Sequence, residues 1–147
     1  MKALALLLCA AVLVGCAGQG GRRASSALLK GDPVPPSFPH ANFTLIDQHA
    51  KRVSLHQERG HYVIVTFLYS RCPDVCPLIA EHLNAVLTRL GPSRRRVRVL
   101  AVSVDPQSDR PAAVHHFIRE HHLLPQFLYL TGTRAELSPC GTSTGMG

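Results

Sequence analysis

Residues 61–90 read HYVIVTFLYSRCPDVCPLIAEHLNAVLTRL. Tyr62 to Tyr69 is an apolar run rich in β-branched residues, the pattern of a strand buried on both faces. Beyond Cys72-Pro-Asp-Val-Cys76-Pro77 the period changes. Val75, Leu78, Ile79, His82, Leu83, Val86, Leu87 and Leu90 recur at i, i+3, i+4 and i+7, the spacing of a helix with one buried face. Pro77 belongs in a first turn, where its missing N–H costs nothing. Asp74 is then the expected N-cap, with its carboxylate accepting the free first-turn N–H groups. Two cysteines therefore stand where a buried strand becomes a helix, Cys72 in the loop and Cys76 in the first turn. The positive end of the helix dipole favours thiolate at both.

Two close thiolates on an exposed turn suit three tasks: a structural disulfide, electron exchange with another dithiol, or a soft metal such as Cu(I). A disulfide closing so short a loop removes little unfolded-state entropy. The CxxxC spacing is one residue longer than the CxxC of dithiol oxidoreductases.

YSRCPDVCP after one buried strand and SVDPQSD after the next resemble the SCO/SenC family, from about Phe43 to Leu137. The resemblance implies a thioredoxin-like α/β fold with an N-terminal β-hairpin. It also implies a copper chaperone for cytochrome c oxidase assembly, with copper on Cys72 and Cys76. In the family a histidine from the C-terminal part completes the metal site, and no histidine of this sequence matches it.

Upstream, Lys2 precedes the apolar run Ala3 to Val14, which is short for a membrane span and fits a signal peptide over residues 1–15. Leu13-Val14-Gly15-Cys16 resembles a bacterial lipobox, which makes Cys16 the expected lipidation site. The expected location is thus outside the cytoplasm, lipid-anchored to a bacterial membrane and facing the periplasm or cell exterior. In such a compartment a close cysteine pair needs a thioredoxin-like reductant as partner to stay reduced. The second expected partner is the copper-receiving subunit of the oxidase. Residues 16–40, rich in Gly, Ser and Pro, read as a flexible linker.

Phe43 to Leu55 reads as the hairpin, around Asp47-Gln48-His49-Ala50. Gly91-Pro92 stops the first helix. Ser93-Arg94-Arg95-Arg96-Val97-Arg98 lies in a chain of formal net charge +7. The run is short and carries no interleaved aromatic residue, so a solvated loop or a steering patch is the reading, and nucleic acid is not an expected partner. Val97 to Val104 is the next strand, and Asp109 is the expected N-cap of a helix with Pro111 in its first turn. His115, His116, His121 and His122 on that helix read as solvated, and His82 as packed in the core. Pro125 to Leu130 is the third strand.

Thr133-Arg-Ala-Glu136 is a capping box, yet Ser138 to Gly147 shows no apolar period. The expectation is therefore a domain over residues 41–137 that lacks the final hairpin and helix of a thioredoxin-like fold, followed by a disordered tail over 138–147. Cys140 would fall in that tail. A metallochaperone rather than an enzyme is the first reading. A thioredoxin-like thiol-disulfide oxidoreductase using Cys72 and Cys76, and an inactive truncated product, are the alternatives.

Overall fold

A computed structural model describes Gly31 and residues 42–143, with side chains to Ser138. The leader, Cys16 and nearly all of the linker lie outside the described residues. The described fold is a three-stranded parallel sheet with two helices on one face and a hairpin on the other.

The hairpin is β1 (Thr44–Ile46) and β2 (Arg52–Ser54), paired antiparallel with Leu45 opposite Val53. Its turn is held by Asp47, whose Oδ1 accepts the amides of His49 and Lys51, both at 2.8 Å. The sheet is β3 (Tyr62–Leu68), β4 (Val97–Ser103) and β5 (Phe127–Leu130), in the order β3-β4-β5. β3 and β4 pair in parallel along their whole length, Tyr62 opposite Val97 and Leu68 opposite Ser103. The connections are α1 (Val75–Arg89) and α2 (Pro111–Glu120), the βαβ arrangement that apolar runs alternating with helical periods predict.

β4 is the strand buried on both faces. Val97, Val99 and Ala101 point into a core with Leu68, Cys76, Ala80, Leu87, Val114 and Phe117. Leu100 and Val102 point the other way, onto Phe43, Leu45 and Val53 of the hairpin. β3, read as buried on both faces, is instead half-buried with Tyr62 exposed. The reason is position: no strand among the described residues pairs with its outer edge. Beside β5, Gln48 extends the ladder with its side-chain amide, donating to the Phe127 carbonyl at 3.2 Å and accepting from the Tyr129 amide at 2.9 Å.

Three local expectations are corrected. The buried seam of α1 is Cys76, Ala80, Leu83 and Leu87, whereas Val75, Leu78, Ile79, Val86 and Leu90 are exposed, and so is His82. Ala80 has no bulk to mark it in an apolar pattern, but its smallness lets the helix approach the sheet. Second, Arg110, not Asp109, occupies the N-cap position of α2. Third, the capping box is formed and a helix follows. Thr133 Oγ1 accepts the Glu136 amide at 3.3 Å and Glu136 Oε2 accepts the Thr133 amide at 2.8 Å. α3 (Arg134–Ser143) continues into the stretch read as disordered, with Leu137 packed on the hairpin-side core. At the other end of the chain's helical set, α1 stops where expected: Gly91 takes φ +52°, a left-handed position that glycine adopts without strain.

Leu100, fully buried at the centre of the sheet, sets a stability test. Leu100→Ala is expected to cost about 3 kcal/mol in urea unfolding, and Thr133→Ala about 1 kcal/mol through the lost cap.

Candidate metal centre

Leu68 is the last residue of β3, and the chain turns through Tyr69, Ser70 and Arg71 to reach Cys72. Cys72 and Cys76 are buried, 9% and 5% exposed, so the exposed turn expected from the sequence is a covered one. Both are free thiols. The Cys76 amide, in the first turn of α1, donates to Cys72 Sγ at 3.4 Å. The Cys72 amide in turn donates to the Tyr69 carbonyl at 3.2 Å, closing the loop on itself.

These contacts make the two sulfurs unequal. The Asp74 amide first, then the Cys76 amide, the Cys76 thiol and the Tyr69 hydroxyl, favour the charged form of Cys72 and lower its pKa from 9.0 to about 7. A sulfur at the mouth of a helix N-terminus, facing unpaired amides, gains most when it is charged. Cys76 moves the other way. Burial pushes its thiol up, and the neighbouring Cys72 and Asp109 add to the effect. The expectation of two thiolates is therefore met at one. Asp74 stands at the N-cap position but makes no side-chain cap bond. Its amide, aimed at Cys72, replaces that contribution.

Asp109 is the residue that the motif reading misassigned. It is 3% exposed and sits behind the cysteine loop. Oδ1 accepts the Ser70 amide at 2.7 Å, and Oδ2 accepts the Ser103 hydroxyl at 2.5 Å and the Tyr129 hydroxyl at 3.0 Å. One carboxylate thus joins the ends of β3 and β4, a residue of β5, and the approach to Cys72. Three donors satisfy a charge that burial would otherwise make prohibitive. Burial first, then the Asp109 charge, hold the Tyr129 phenol far above its ordinary range. Tyr69 is the other residue that the sequence reading passed over; bonding to Cys72 raises its phenol pKa. Its place three residues before Cys72 was the available signal.

The histidines stand elsewhere. His121 bonds to Glu81 at 2.9 Å and packs on Phe117 with ring centroids 4.5 Å apart. His116 pairs with Glu120 at 3.3 Å across one helical turn. Among the described residues no three His, Cys, Asp or Glu side chains gather to hold a metal ion. The donor set here is two sulfurs, which suits a soft monovalent ion better than a hard divalent one. The Cys140 side chain lies outside the described residues.

The family model described as SCO1/SenC matches residues 33–141. The chain belongs to the SCO1/SenC family. A Danio rerio relative, "Protein SCO2 homolog, mitochondrial", is 32% identical over 68% of this chain, and the match covers 36% of that protein. The solved structure "Bradyrhizobium japonicum ScoI with copper bound" has a TM-score of 0.65 at 32% identity, covering 69% of this chain and 64% of that one. A third likeness, at 24% identity, is to BsSco, described as a member of the Sco family of cytochrome c oxidase assembly proteins; its TM-score is 0.66, covering 80% of this chain and 70% of that one. The fold is thioredoxin-like α/β, as in these SCO neighbours, and the chain spans about a third of the length of the Danio rerio SCO relative.

Three substitutions separate charge from packing at this centre. Asp109→Ala leaves three buried donors without their acceptor and is expected to cost about 3 kcal/mol; Asp109→Asn, which keeps acceptor oxygen at the site, should cost less. Tyr69→Phe removes one donor to Cys72 Sγ and should move the Cys72 titration upward from about 7. Alkylation by iodoacetamide at neutral pH should then slow, because less of the sulfur is thiolate. An unchanged rate would remove Tyr69 from the account.

Proposed function

We propose that this protein is a membrane-anchored copper chaperone that takes Cu(I) on Cys72 and Cys76 and passes it on during cytochrome c oxidase assembly. The observation that carries the reading is the pair itself: two free thiols at a strand-to-helix turn, with the Cys76 amide 3.4 Å from Cys72 Sγ. Family membership and a solved SCO neighbour with copper bound support the choice of metal.

Cys72, largely thiolate above about pH 7, is the first donor. Cys76 becomes the second on losing its proton to water. Its raised pKa keeps that step reversible, so an acceptor sulfur can displace it while Cys72 retains the ion. Two thiolates without a nitrogen donor hold Cu(I) in preference to Cu(II). The anchor is lipidated Cys16 after removal of residues 1–15, which places the domain in the periplasm or at the cell exterior. A thioredoxin-like partner keeps the pair reduced there, and the copper-receiving oxidase subunit is the acceptor.

The lowered Cys72 pKa also favours a second reading, a thiol-disulfide oxidoreductase in which Cys72 attacks and Cys76 resolves.

Anaerobic Cu(I) titration of the reduced chain against a competing chelator separates the two. The expected result is one ion per chain, with affinity lost in both Cys72→Ser and Cys76→Ser. Apparent affinity should rise with pH from about 7 upward, by about tenfold per unit, because binding displaces the Cys76 proton. A folded chain that binds no copper but reduces disulfides would support the second reading.

A further inference from the structure

The amino ends of β3 and β4 meet the carboxyl end of α1 at the end of the sheet opposite Cys72. That end is strongly cationic. Arg59, Arg89, Arg95 and Arg96 are exposed, and Arg94 is half-buried in the 3-10 turn Gly91–Arg96. Carboxylates at this end have arginine or imidazole neighbours. Glu58 lies 3.5 Å from Arg98 and 3.4 Å from His61, and Glu120 lies 3.3 Å from His116. Apolar groups stand among the arginines. Tyr62 is 66% exposed with the Arg96 guanidinium 5.6 Å from its ring centre, and Val86 near the end of α1 and Leu90 just past it are exposed.

We propose that this end of the domain docks onto an anionic lipid surface. Guanidinium groups pair with lipid phosphates, while an aromatic ring and aliphatic side chains beside them enter the headgroup boundary. A nucleic-acid track needs charge extended along a backbone and bases to stack on several rings; this patch is compact and has one exposed ring. The 3-10 turn fixes its arginines between α1 and β4, so the patch is part of the folded surface. Docked this way, the cysteine loop lies at the end of the domain away from the bilayer. The inference depends neither on copper nor on an acyl anchor.

The test is cosedimentation of the full chain carrying Cys16→Ser, so that no acyl chain contributes. The vesicles are phosphatidylcholine alone, or phosphatidylcholine with about one-third phosphatidylglycerol. Each arginine near such a surface is worth about fivefold in affinity. Phosphatidylglycerol should therefore strengthen binding by at least about tenfold at low salt, and high salt should cancel the gain. The triple variant R94Q/R95Q/R96Q should lose most of it, with Arg→Lys at the same three positions retaining it. R71Q/R110Q/R134Q, an equal loss of charge at other sites, should bind as the parent does. The cations of residues 1–41 are common to every form and cancel in the comparison. Equal binding by the two triple glutamine variants would overturn the proposal. So would equally tight, equally Arg94-Arg96-dependent capture of soluble polyglutamate or of an oligonucleotide.

Discussion

One hydrogen bond organises the centre of this molecule: the Cys76 amide reaching back across the first turn of α1 to the Cys72 sulfur. It exists because α1 starts within a few residues of the end of β3, so that helix amides without intrahelical partners face the loop that enters the helix. Pro77 in that first turn has no amide to satisfy, and its fixed φ suits a helix start. Cys72 supplies the acceptor that a capping side chain would otherwise provide. The sulfur thereby becomes both the structural cap and the charged donor. The same burial that completes the turn covers Cys76 and keeps its proton on.

Behind that turn, Asp109 ties the strand ends together. A parallel β3–β4 ladder in full register brings Leu68 and Ser103 level, and Asp109 then collects donors from Ser70 just past β3, from Ser103 at the end of β4 and from Tyr129 of β5. The loop carrying Cys72 is thus held from two sides, by α1 and by the sheet. The geometry suits a site that must present two sulfurs at fixed separation. It also keeps Cys72 and Cys76 in the helix-side core, joined to Val99, Ala101 and Phe117 through packed side chains.

Much of this was legible in the residues. The change of apolar period at Cys72-Cys76 located the strand-to-helix turn, and the CPDVCP and SVDP stretches carried the family. The burial of β3 was not legible, because an apolar run looks the same at the edge of a sheet as at its centre. The buried face of α1 was hidden by Ala80 and Cys76, small residues that an apolar count passes over while larger exposed ones dominate. Asp109 precedes a proline-led helix and so reads as a cap. Only the fold shows Ser70, Ser103 and Tyr129 converging on it from sequence distances of 39, 6 and 20 residues. The helix after Thr133 has little apolar period, and its first turn rests on the reciprocal Thr133–Glu136 bonds and on Leu137.

Two sulfurs four residues apart in the chain are held in unequal surroundings. The most direct measurement is a pH titration of the reduced protein labelled with carbon-13 at the cysteine Cβ, with Cys72 and Cys76 resolved by NMR. The expected midpoint is about 7 for Cys72, with that of Cys76 raised by burial above the ordinary thiol range. Two midpoints together near the ordinary thiol value, or the order reversed, would contradict that expectation.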